Sequence, residues 1–127
     1  MLGETYLSQD RIRQRCYEFD SIFLSSIERI AQGIFGQETA GVVFSYMEYF
    51  HGLKFDEIPT KIELFEDASE DLLGCGAAVF KKMILRDICS RLNAQMPNDD
   101  DFLSTIRSAR AMYVQASEST AGEGPDR

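Results

Sequence analysis
From Ser8 to Phe35 apolar residues recur at Ile12, Cys16, Phe19, Phe23, Ile27, Ile30 and Ile34. Intervals of three and four belong to one face of an α-helix, so the spacing predicts a long amphipathic helix. Ser8 or Asp10 can cap its start, and Gly36 is placed to supply the left-handed residue that ends it. Gly33 weakens the last turn by about 1 kcal/mol relative to alanine. At roughly 1.5 Å per residue the helix is about 40 Å long, more than a domain of this size needs to cover its core. Its N-terminal half is therefore expected to project or to pack on a second copy. Ile12, Phe19 and Phe23 are the candidate partner surface, and a homodimer is the expected assembly.

Val43, Met47 and Phe50, with Phe44 beside them, predict a second helix from about Gln37 to His51, closed by Gly52-Leu53 in the Schellman manner. Leu53, Phe55 and Ile58 then form a short apolar connector that Pro59 terminates. Thr60-Lys61-Ile62-Glu63 matches a capping box, which predicts a third helix from Lys61 to about Gly74 with Ile62, Phe65, Leu72 and Leu73 turned inward. Ala77, Phe80, Ile84, Ile88 and Leu92 predict a fourth helix over Gly76 to Leu92, with Lys82, Arg86 and Ser90 opposite and Cys89 at the stripe's edge.

After a linker containing Pro97, Asp99, Asp100 and Asp101 suit a helix N-terminus. A fifth helix follows, bearing Phe102, Leu103, Ile106, Ala109, Met112 and Tyr113. Residues 117–127, SESTAGEGPDR, hold no aliphatic or aromatic residue beyond one alanine and are predicted to be disordered. No internal repeat occurs, and no strand alternation competes with the helical period. The expected fold is a compact all-α bundle of about five helices, one domain over residues 1–116.

Composition narrows the function. At 127 residues one core is expected, with no need of metals or disulfides. Thirteen Lys and Arg against twenty-one Asp and Glu give a formal charge of −8, which repels nucleic acid and anionic lipid and favours a basic partner surface. The three cysteines, Cys16, Cys75 and Cys89, are odd in number and form no C-x-x-C pair, so a reducing cytoplasm fits best. The longest apolar stretch, Leu72 to Leu85, is interrupted by Lys81-Lys82, and no basic segment leads into an apolar one at the N-terminus. No signal peptide and no membrane span is expected.

Four constellations touch on chemistry. Seven carboxylates lie between Asp56 and Asp71, and Glu63, Asp67, Glu70 and Asp71 can share one helix face, as a solvated surface, a dock for a basic partner or a cation site. Glu48 and His51 have the E-x-x-H spacing of di-iron bundles, but His51 is the sole histidine and the second such motif is missing. Gly74-Cys75-Gly76 reads as a tight structural hinge at Gly74 and Gly76, with a reactive or redox thiol at Cys75 or an anion site as the sharper readings. The helix-hinge-helix 61–92, bearing Lys81, Lys82, Arg86 and Arg91, can also imitate a DNA-binding helix-turn-helix, against which stands the acidic preceding helix.

In order along the chain come Gly36, then Gly52, Leu53, Ile58 and Pro59 in a GL-x-x-x-x-IP pattern, then Phe65, then Leu73, Gly74, Gly76 and Ala77 in an LG-x-GA pattern. This order resembles the small archaeal all-helical domain known as the fifth Nitrosopumilus output domain. The resemblance covers about residues 27–92. It implies an archaeal cytoplasmic protein at the output end of signalling, and it carries no catalytic residue or cofactor. Members usually carry a leucine-glutamate pair soon after the G-x-GA, where this chain has Phe80-Lys81. The arm before Ile27 and the helix after Asp99 fall outside the match. The expected function is a non-enzymatic protein–protein interaction or signalling-output module without cofactor, with DNA binding and Cys75 thiol chemistry as alternatives.

Overall fold
The computed structural model describes residues 2–94 and 101–123, with side chains over 10–94 and 101–115. Among these residues there is no strand. Five α-helices and one 3-10 turn follow one another: α1 (Leu2–Phe35), α2 (Gln37–His51), the 3-10 turn (Phe55–Thr60), α3 (Ile62–Leu73), α4 (Gly76–Leu92) and α5 (Phe102–Glu123). The all-α bundle with a long first helix is the one the periodicity predicts.

The core is organised around a file of aromatic rings. Phe35 meets Phe80 at 5.9 Å between centroids, Phe80 meets Phe65 at 6.2 Å, and Phe65 meets Phe102 at 6.1 Å. The file continues through Phe23 at 6.1 Å, Phe19 at 6.4 Å and Tyr113 at 6.0 Å. Tilted rings at these separations add to the burial of their area, and here they tie α1, α4, α3 and α5 into one unit. Ile27, Met47, Leu53, Ile58, Ile84 and Ile88 fill the space around them, and α4 touches α1, α3 and α5.

This packing corrects the partner surface drawn on α1. Phe19 and Phe23 are both 0% exposed, enclosed by the chain's own α5, and only Ile12 is exposed. The helix that covers them belongs to the same chain, and α5 holds α1 through polar groups as well as apolar ones. Arg110 pairs with Asp20 at 3.2 Å, the Tyr113 hydroxyl donates to Glu18 at 3.1 Å, and the Arg15 guanidinium lies 4.2 Å over the Tyr113 ring. Burial pushes the Asp20 carboxyl up, and the Arg110 charge opposes that shift.

Helix junctions follow local chemistry with one correction. Gly52 adopts φ 64°, ψ 24°, its N–H donating to Glu48 O and that of Leu53 to Met47 O, which completes the Schellman motif. The box expected at Thr60 and Glu63 does not form. Thr60 belongs to the 3-10 turn, its hydroxyl donates back to Glu57 O at 2.9 Å, and α3 starts at Ile62 rather than Lys61. Its counterpart lies one turn earlier, where Glu57 accepts from the Lys54 N–H at 3.2 Å.

α5 is described as far as Glu123, within the segment from Ser117 for which composition predicts disorder. Residues 124–127 of that prediction lie outside the described residues, as do Asp99 and Asp100. At the other end of α5, Asp101 accepts from both the N–H and the hydroxyl of Ser104.

These Ser104 bonds, hydroxyl first, hold the Asp101 carboxyl below its ordinary 3.8. A depressed carboxylate contributes stability that is present above its ordinary value and disappears as pH falls through the folded one. Asp101→Asn is therefore expected to lose less thermal stability than the parent chain when both are acidified from neutral pH to about pH 2. Parallel melting-temperature curves would remove Asp101 from the acid transition.

Candidate interaction surface
A groove of about 470 Å³ lies where α1, the start of α3 and α5 meet, with Phe19, Phe23, Lys61, Arg107 and Arg110 among its walls. No cysteine, histidine or serine lines it. Its hydroxyl, Thr60, is turned to Glu57 O. Asp20 and Arg110 answer each other across it, so the groove assembles no nucleophile with a base.

The residues singled out for chemistry are dispersed. Glu66 and Glu70 hold the Lys81 amine at 2.9 and 3.6 Å, while Asp71 turns toward α2. The acidic face of α3 is thus divided between two neighbouring helices. Among the described residues no three His, Cys, Asp or Glu side chains lie together in a way that could hold a metal ion. His51 Nε2 lies 3.1 Å from Asp71 Oδ2, and Glu48 is exposed, so the E-x-x-H pair does not converge on a common point.

At the hinge only one glycine is demanded by the backbone. Gly74 has φ 57°, ψ −126°, a region open to glycine, whereas Gly76 begins α4 at negative φ. The hinge assigned to both therefore narrows to Gly74. Cys75 is exposed at this turn with no histidine or lysine bonded to its sulfur, Cys16 is partly buried, and burial of Cys89 pushes its thiol up. Of the four cations in the helix-turn-helix reading, Lys81 is held by Glu66 and Arg91 by Asp87 at 3.1 Å. Lys82 and Arg86 remain on the outer side of α4.

What the pattern did not anticipate is the outer side of α2. Phe50, expected in the core stripe, is 63% exposed, beside Tyr49 at 81% and Val42 at 66%. The rings form a preset cluster, with Tyr46 and Phe50 4.5 Å apart and Phe50 and Tyr49 4.8 Å apart edge to face. The Tyr46 hydroxyl donates to Asp71 Oδ2 at 2.9 Å, anchoring the cluster to α3. Bonds from His51, then from Tyr46, keep the Asp71 carboxyl below its ordinary range, so it stays ionised beside the rings.

Gly41 and Ser45 lie on the same exposed side of α2. Glycine in a helix interior costs about 1 kcal/mol relative to alanine. Nothing inside the fold requires it, because a Cβ at Gly41 would meet no atom within 4 Å and its φ is not positive. The sequence clue available was the doublet Tyr49-Phe50, which a helix cannot bury on one narrow stripe.

None of the described helices is long and apolar enough to cross a membrane. Compared with protein-family models, curated proteins and solved structures, the chain matches none. The archaeal output-domain resemblance accordingly rests on the residues quoted for it.

Proposed function
We propose that this protein is a non-enzymatic protein–protein interaction module whose contact face is the outer side of α2. The observation that carries this reading is the pair of solvent-exposed rings Tyr49 and Phe50, stacked on the half-buried Tyr46 that Asp71 anchors. Aromatic residues supply large contact area at small conformational cost, and rings already fixed before binding lose little entropy on docking. Three free cysteines support a reducing cytoplasm. The order of Gly36, Gly52, Pro59, Gly74 and Gly76 supports a place at the output end of archaeal signalling.

The test compares the parent chain with a Tyr49→Ser, Phe50→Ser chain, each immobilised in extract from the source cells, with retained proteins identified by mass spectrometry. Both residues are exposed, so the double variant should melt close to the parent. Proteins retained by the parent and lost from the variant are the expected result. An identical set on both would remove α2 as the contact face.

A further inference from the structure
Charge around the α2 cluster points to the chemistry of what covers it. α2 contains Glu38 and Glu48 and neither lysine nor arginine. Beside the rings stands Asp71, held ionised by its donors, and exposed Asp67 lies one turn earlier on α3. The whole chain adds a formal −8. A second copy docked by this face in a symmetric pair would bring Glu38 and Glu48 against their own equivalents, which like-charge repulsion opposes. A partner bearing lysine or arginine around an apolar strip meets the opposite situation, and a cation over the exposed Tyr49 ring gains a further attraction.

We infer that the outer face of α2 takes a basic amphipathic helix of another protein, its apolar side on Val42, Tyr49 and Phe50 and its cations over Glu38, Glu48 and Asp71. The inference rests on the interaction reading above and adds the partner's chemistry. Gly41 and Ser45 agree with it, because short side chains on this face let a partner backbone approach α2 closely. The glycine that the fold itself does not need then has a use in the complex.

The experiment uses the full chain and, as probe, a synthetic leucine-lysine peptide of about five helical turns with its leucines at helical spacing. A peptide of the same composition in scrambled order is the control for attraction by net charge alone. The periodic peptide is expected to bind, and the scrambled one to bind at least roughly tenfold more weakly. Tyr49→Ser and Gly41→Leu should each weaken the periodic peptide by roughly tenfold. Glu38→Lys with Glu48→Lys should weaken it similarly and flatten its salt dependence, whereas Asp10→Lys with Glu28→Lys, an equal charge change on exposed α1 positions, should leave it within about twofold. Gly41→Ala, expected to raise the melting temperature, verifies that position 41 is not needed for folding.

Absence of binding, equal binding of the two peptides, or equal loss in the α1 and α2 charge reversals would overturn the inference. The two readings separate in the extract experiment. A protein lost with Tyr49→Ser, Phe50→Ser but retained with Glu38→Lys, Glu48→Lys leaves α2 as the contact face and removes the basic partner. Identical retention on all chains removes both.

Discussion

Replacing Phe65 by alanine is expected to destabilise the protein by about 3–5 kcal/mol, the largest loss for any single truncation proposed. Phe65 is 0% exposed and sits in the middle of the aromatic file, 6.2 Å from Phe80 on α4 and 6.1 Å from Phe102 on α5. Its removal opens a void between three helices that are each held elsewhere. None can close it without breaking other contacts, so the cavity cost adds to the lost burial. Against a total of about 5–15 kcal/mol for a typical domain, the variant should show a markedly lower urea midpoint with an unchanged slope. Phe50→Ala, at an exposed ring, should stay within about 0.5 kcal/mol of the parent. A loss below about 1.5 kcal/mol for Phe65→Ala would mean that the core repacks and that the file is not its organising element.

The second large effect separates two glycines that look equivalent in the sequence. Gly74→Ala is expected to cost on the order of 1–3 kcal/mol, because φ 57° with ψ −126° forces a Cβ against the neighbouring backbone carbonyl. Gly76→Ala is expected to be neutral within about 0.5 kcal/mol or mildly stabilising, since the added carbon meets only Leu73 Cβ at 3.8 Å and the unfolded chain loses freedom. Thermal unfolding of the two variants side by side reads the difference. Equal losses would show that both residues set the turn, as the LG-x-GA spacing predicts.

The candidate surface was only partly legible. The acid residues of α3 and α2 stand in the sequence, and an acidic dock for a basic partner is one of the readings they invite. Which carboxylates act together is decided in space, where Asp71 joins Tyr46 and His51 while Glu66 and Glu70 turn to Lys81. Phe50 shows the limit of periodicity. It falls near the edge of the stripe set by Val43 and Met47, and the position of α3 leaves it outside the core. Similarly, an apolar stripe on α1 looks the same whether its cover comes from a second copy or from a helix ninety residues later in the chain.

The sequence by itself determined the number, type and approximate ends of the helices, since 3.6-residue periodicity, Gly52 and the Gly74 turn act within a few residues of one another. It also determined the apolar content of each inward face. Tertiary structure alone decided that α5 covers Phe19 and Phe23 and that the Tyr49 and Phe50 rings of α2 face solvent. Those outcomes depend on contacts between residues distant along the chain, and periodicity records which face is apolar without recording what meets it.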